Sequence, residues 1–137
     1  MNKNLNIIDL ISEKHIVLRR EVEDRWAESE EEYISHTEAL LLAKINMGKI
    51  SIAEIARQAN VTRQAMFKCA KKLEDRGYLA FVTNEQGSKY TELTLKGRDY
   101  CKRSEKLKES LEEKIAEVIG KDQVEMVKEL LNKNWLE

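Results

Sequence analysis

The chain has 137 residues, 42% hydrophobic and 36% charged, with 24 Lys/Arg against 25 Asp/Glu, two cysteines and no proline. That is enough for one domain with its own core, and no run of about 20 apolar residues is present to cross a membrane. Residues 1–9 carry an acid early and no unbroken apolar stretch, so no signal peptide is expected; with only two cysteines, the expected setting is a reducing cytoplasm without a default disulfide.

Residues 5–26 read as a first helix, with Ile8, Ile11, His15, Leu18 and Val22 recurring at spacings of three and four. Such a seam faces either the domain's own core or a partner chain, and His15 is its one titratable member. Residues 21–32 hold seven acids and one arginine, a solvated helix end and connection without the ligand spacing of a calcium loop. Ser35 and Glu38 have capping-box spacing, with Ile34 as a staple residue. Ala39, Leu40, Leu42, Ala43 and Ile45 then predict a buried helix that ends at Gly48. His36, in its first turn, is expected to be exposed or capping.

Residues 51–97 organise the rest. Ser51 and Glu54 form a second capping-box pattern, and Ile52, Ile55, Ala56 and Ala59 supply one apolar stripe. Asn60-Val61 breaks the period, and Thr62 is suited to cap the next helix. That helix carries Met66, Cys69, Ala70 and Leu73 on one side, with Arg63, Gln64, Lys68, Lys71 and Lys72 on the others; Gly77 ends it. Two short helices joined by a tight turn, the second one basic, make a helix-turn-helix. The β-prone runs 79–83 and 90–94, around a turn at Gly87, add a hairpin behind it. A long helix over 95–119 follows, with Leu107, Leu111, Ile115 and Val118 at heptad-like spacing. Gly120 ends it, Asp122 with Glu125 has the spacing of a cap, and Val124, Val127, Leu130 and Leu131 stripe a last helix before Trp135.

Charge divides along the same boundaries. Residues 49–98 hold ten Lys/Arg and five Asp/Glu, a local +5, whereas the whole chain is −1. Positive charge therefore gathers where a phosphate backbone would be met. No Ser-His-Asp order, His-Glu-x-x-His, Cys-x-x-Cys or phosphate-cradling glycine loop is present, so neither an enzyme, a metal nor a cofactor is expected.

The helix pair, the hairpin, Leu73-Glu74-Asp75-Arg76-Gly77-Tyr78 and Leu93-Thr94-Leu95-Lys96-Gly97 together resemble the MarR family of bacterial transcription regulators. The resemblance implies a mainly α winged helix-turn-helix with a small β-hairpin wing: a single domain over 1–137, its DNA-binding part at about 36–97. Helices at about 5–26 and 95–135 would form a homodimerisation region. It implies a cytoplasmic DNA-binding regulator, commonly a repressor on a pseudo-palindromic operator in double-stranded DNA, relieved by a small-molecule effector. From the geometry of a helix in the major groove, Thr62, Arg63, Gln64 and Phe67 are the base-side candidates, and Arg57, Lys68, Lys71 and Lys72 the phosphate candidates. In the family the wing commonly carries an Asp-x-Arg element. Here Asn84, Gln86, Ser88 and Lys89 stand instead, with Lys89 the nearest basic substitute.

His15, Trp26, Tyr33 and His36 are the candidate effector-pocket residues. Two other readings stay open. A thiol-based oxidant sensor would use Cys101, beside Lys102 and Arg103, because nearby positive charge lowers a thiol pKa. A winged helix can also pair with protein and leave DNA alone.

Overall fold

A computed structural model describes residues 4–29 and 31–137. Residues 1–3 of the N-terminal stretch, and Glu30 among the seven acids, lie outside them. The chain divides into two compact units, residues 32–104 and residues 1–31 with 105–137. Among the described residues, no helix is long and apolar enough to cross a membrane.

The unit 32–104 is a winged helix. Its elements run α2 (His36–Met47), α3 (Ile52–Ala59), α4 (Arg63–Asp75), β1 (Leu79–Thr83), β2 (Lys89–Leu93) and the first turns of α5 (Leu95–Ile119), with α1 (Ile7–Glu28) and α6 (Lys121–Leu131) in the other unit. Local chemistry sets these starts. The Ser35 hydroxyl accepts from the Glu38 amide at 3.1 Å, and the Glu38 carboxylate accepts from the Ser35 amide at 2.8 Å, a reciprocal capping box. At α3 only half of that expected pattern forms: Ser51 accepts from the Glu54 amide, but the Glu54 carboxylate is drawn to Arg57 and Gln58. Asn60 adopts the left-handed conformation between α3 and α4, with φ 56°, which a short polar side chain tolerates better than most. The Thr62 hydroxyl then caps α4 by accepting from the Ala65 amide at 3.0 Å.

Leu41, Leu42, Ile55, Met66, Leu73 and Leu79 are the largest side chains fully withdrawn from solvent. Each contributes about 1.5–3 kcal/mol of transfer free energy. The helix expected to be buried throughout is buried on one face only: Leu41, Leu42 and Ile45 are inside, whereas Ala43 and Met47 are exposed. The strands pair antiparallel, Leu79 opposite Leu93 and Thr83 opposite Lys89. Asn84 closes the wing, its side-chain oxygen accepting from the Gln86 and Ser88 amides at 3.0 and 2.9 Å.

The two sequence motifs meet in space. Gly77, at φ +86°, turns the chain out of α4 and into the wing. The Thr94 hydroxyl donates to the Gly77 carbonyl at 2.5 Å and accepts from the Gly97 amide at 3.1 Å. The Thr94 amide donates to the Tyr78 carbonyl at 3.1 Å. That carbonyl lies so close to Gly97 that a Cβ there would sit 2.1 Å from its oxygen. The helix end, the wing root and the start of α5 are thus one hydrogen-bonded joint.

The other unit buries little. Val124 is its one buried apolar side chain among the described residues. Ile8, Ile11 and Leu18 of the first seam, and Val118, Val127, Leu130 and Leu131 of the last two, are exposed. His15, expected in a packed seam, is exposed within this chain. Asp122 does not cap α6 as expected: Gly120 occupies the cap position with no side-chain hydrogen bond, and Asp122 sits in the first turn, where its charge suits the helix dipole.

Candidate nucleic-acid interface

The face that α4 turns outward is a built surface. Arg63, Gln64, Phe67 and Lys71 line one side of an open groove of about 870 Å³; Phe81, Thr83, Lys89 and Tyr90 of the wing line the other, and Ser51–Ala53 one end. Phe67 keeps 48% of its surface exposed, and its ring tilts against that of Phe81 at 5.6 Å between centroids. The ring therefore projects into the groove and is buttressed from the wing. Thr62 is exposed, but its hydroxyl oxygen is engaged in capping. Arg63 and Gln64, the first two residues of α4, are exposed beside it.

The basic residues fall into two groups. Arg57 is held by Glu54, with its Nε 2.8 Å from a carboxylate oxygen. That pairing, with the Gln58 amide second, brings the Glu54 carboxyl down from 4.5 to about 2. Lys71 donates to Glu74 at 2.8 Å and stands 5.3 Å from the Phe81 ring centre. Arg63, Lys68, Lys72 and Lys89 form no ion pair among the described residues. All eight helix candidates are exposed and four of them, Arg63, Gln64, Phe67 and Lys71, line the groove, but two of the four phosphate candidates already have carboxylate partners. In the wing, Asn84 is folded into its own turn, whereas Gln86, Ser88 and Lys89 are exposed around it.

Arg76 anchors this face from behind. Its guanidinium donates to Glu38 at 3.0 Å, to Glu32 at 2.8 Å and to the Tyr33 carbonyl at 2.6 Å. Glu38 is only 6% exposed, so its carboxylate is bridged inside the protein between Arg76 and the α2 cap. Arg76, with Tyr78 and Lys96 after it, holds the Glu32 carboxyl below its ordinary 4.5. Sequence reasoning recovered Glu38 as a cap and missed Arg76, 38 residues away, because nothing local links them.

The remaining candidates are placed as follows. His15 and Trp26 lie in the terminal-helix unit, and Tyr33 and His36 in the winged unit. His15, Tyr33 and His36 are exposed and Trp26 is half-buried. None of the four lines the groove beside α4. The two thiols differ from expectation in burial. Cys69 is half-exposed rather than inside, and burial, then the Glu38 charge, pushes its thiol up to about 11. Cys101 is 7% exposed, its sulfur 3.8 Å from the Leu42 carbonyl. A neighbouring Lys102 and Arg103 in sequence therefore do not place its sulfur at the surface.

Residues 34–86 match the model of the MarR family. Among solved structures, the MarR family protein Rv2887 of Mycobacterium tuberculosis in complex with salicylic acid is 27% identical, covers 96% of this chain and 97% of its own, and superposes with TM-score 0.73. The same protein in complex with DNA is 27% identical over 93% of this chain and 96% of its own, also with TM-score 0.73. A mutant of MarR from E. coli is 18% identical over 95% and 96% of the two chains, with TM-score 0.77. No curated protein matches the chain. The MarR resemblance and the winged-helix fold read from the sequence are both borne out.

Proposed function

We propose that this MarR-type winged-helix protein is a sequence-specific regulator that binds operator DNA as a homodimer and acts as a repressor. The observation that carries the reading is the groove beside α4. It presents Arg63 and Gln64 at the start of an exposed helix, opposite Lys89 of the wing. Arg is suited to guanine, Gln to adenine, and the Phe67 ring to a thymine methyl. The similar Rv2887 structure in complex with DNA supports the same use of the fold.

Dimerisation is supported by what the chain leaves uncovered. Exposed apolar side chains of α1, α6 and the end of α5 need a cover, and a second copy supplies one. A twofold pair of recognition helices would read half-sites about one helical turn apart, roughly 10 bp centre to centre. A small-molecule effector belongs to the proposal as well, supported by the Rv2887 complex with salicylic acid.

The deciding experiment is binding to the DNA just upstream of the protein's own gene, at several salt concentrations, against random DNA of equal length. The reading expects tight, salt-dependent binding that prefers the upstream segment. Arg63→Ala should cost about 1–3 kcal/mol on that segment and relax its preference. Equal losses on both duplexes would remove Arg63 as a base reader. No binding even at low salt would favour a protein-interaction module instead. Addition of salicylate to the complex tests for an effector of the aromatic carboxylate class.

A further inference from the structure

We infer that Lys49 is a DNA-backbone contact held in place by Tyr90 of the wing, giving the interface a row of phosphate contacts on the wing side of the recognition helix. The inference rests on the DNA-binding reading above and extends it to a residue outside the helix pair.

Lys49 stands in the turn between α2 and α3, exposed, with its ammonium 4.2 Å from the centre of the Tyr90 ring. Of the ten basic residues in 49–98, Arg57, Lys71, Arg76 and Lys96 are paired with carboxylates, and Arg98 donates to the Leu93 carbonyl. Lys49 has no carboxylate partner among the described residues. Glu92, which lines the same cleft, accepts instead from the Tyr90 hydroxyl at 3.3 Å. An aromatic face attracts an ammonium group without neutralising it, so Lys49 is positioned and keeps its charge.

Position then decides what the charge can meet. Tyr90 lines the groove beside α4 and also the cleft that contains Lys49, so the lysine stands where the two adjoin. A helix in the major groove, about 12 Å wide, has a phosphate backbone along each flank. On α4 the flank of Phe67 and Lys71 faces Phe81 of the wing. Lys68 and Lys72 lie one step further round and do not line the groove. They serve one backbone; Lys49 and Lys89 are left to serve the other. The turn before α3 carries no helical pattern, so the periodicity of the helix pair does not mark Lys49.

The test measures affinity of the full chain for the upstream duplex and for a random duplex as salt is varied. Lys49→Ala is expected to weaken both duplexes by the same factor. It should also lower the slope of log affinity against log salt by roughly 0.9 for each lysine removed, nearly two units in a dimer. Lys49→Arg should keep the slope. Tyr90→Leu should keep it too while weakening affinity several-fold, because the charge remains and its positioning is lost. Unchanged slope and affinity in Lys49→Ala, with Lys68→Ala lowering both, would overturn this inference and leave the regulator reading standing. Absence of salt-dependent binding by the unsubstituted protein would overturn both. Unaltered thermal melts of the variants separate a lost contact from a lost fold.

Discussion

Gly97→Ala should destabilise the winged unit although it places alanine in a helix. An alanine Cβ would stand 2.1 Å from the Tyr78 carbonyl oxygen, 3.1 Å from its carbon and 3.2 Å from a Leu93 methyl. Ordinary contact would require the Tyr78 peptide to withdraw by about 1.4 Å, given contact distances near 3.5 Å. Withdrawal breaks the bond from the Thr94 amide to that carbonyl and loosens the one from the Thr94 hydroxyl to Gly77. Two weakened hydrogen bonds cost about 1 kcal/mol each, and overpacking against backbone adds about 1–3. The better helix propensity of alanine returns about 1. The net loss is about 2–4 kcal/mol, or a fall in Tm of roughly 10 °C for a chain of this size. Thermal unfolding at fixed protein concentration measures it, since association shifts an apparent Tm. An unchanged or raised Tm would refute the close-approach argument, and with it this account of why the Leu-Thr-x-x-Gly motif ends in glycine.

Other expectations separate residues that look alike in sequence. Lys68→Ala and Lys72→Ala should each lower the salt slope of DNA binding by about 0.9 per lysine. Lys71→Ala should lower it by less than half as much, because that ammonium is shared with Glu74 and Phe81; equal falls would place Lys71 on a phosphate. Arg57→Ala should raise the Glu54 carboxyl from about 2 towards 4.5, read by NMR titration. Because the folded value is the lowered one, the Arg57–Glu54 pair adds stability that is present above pH 4.5 and lost as pH falls towards 2. A midpoint that does not move in the variant would dismiss the pair. Cys69, raised to about 11, should react slowly with iodoacetamide at neutral pH in a Cys101→Ser background. The rate should climb about tenfold per pH unit past pH 9. A plateau below that pH would refute the account of burial raising the Cys69 thiol.

What the sequence disclosed was local. The bounds of α5, the Thr62 cap, the reversal at Asn60 and the hairpin each follow from a pattern spanning a few residues, and the structure has them there. The failures share a cause as well. Ser51 and Glu54 have capping-box spacing, but Arg57, one turn on, competes for the carboxylate and wins it. Asp122 has the type and spacing of a cap, yet the one-residue link at Gly120 puts it inside the first turn. Cys101 is judged by its neighbours in sequence and Cys69 by the helical period alone, whereas burial depends on which helix face packs against α2. The Glu38–Arg76 pair and the Phe67–Phe81 buttress join residues 38 and 14 positions apart and leave no periodic trace.

The division of labour at the interface follows from which polar atoms are already committed. The Thr62 oxygen is occupied by the cap, and that of Asn84 by its own turn, so neither has full capacity for a base edge. Arg57 and Lys71 share their charge with carboxylates in their own helices. Arg63 and Gln64 remain with exposed side chains at the helix start, and the half-exposed Phe67 ring is braced by Phe81. On the proposed reading, sequence discrimination therefore concentrates in two adjacent polar residues and one ring, all in the major groove. The wing has Lys89 where a planar arginine fork would be needed to exploit a narrow minor groove. Its ammonium attracts phosphate whatever the bases beneath it, so the wing contributes affinity and salt dependence. A Lys89→Arg substitution should accordingly tighten binding most on duplexes with A-tracts under the wing; a uniform gain on every duplex would mean that the wing tip never enters the groove.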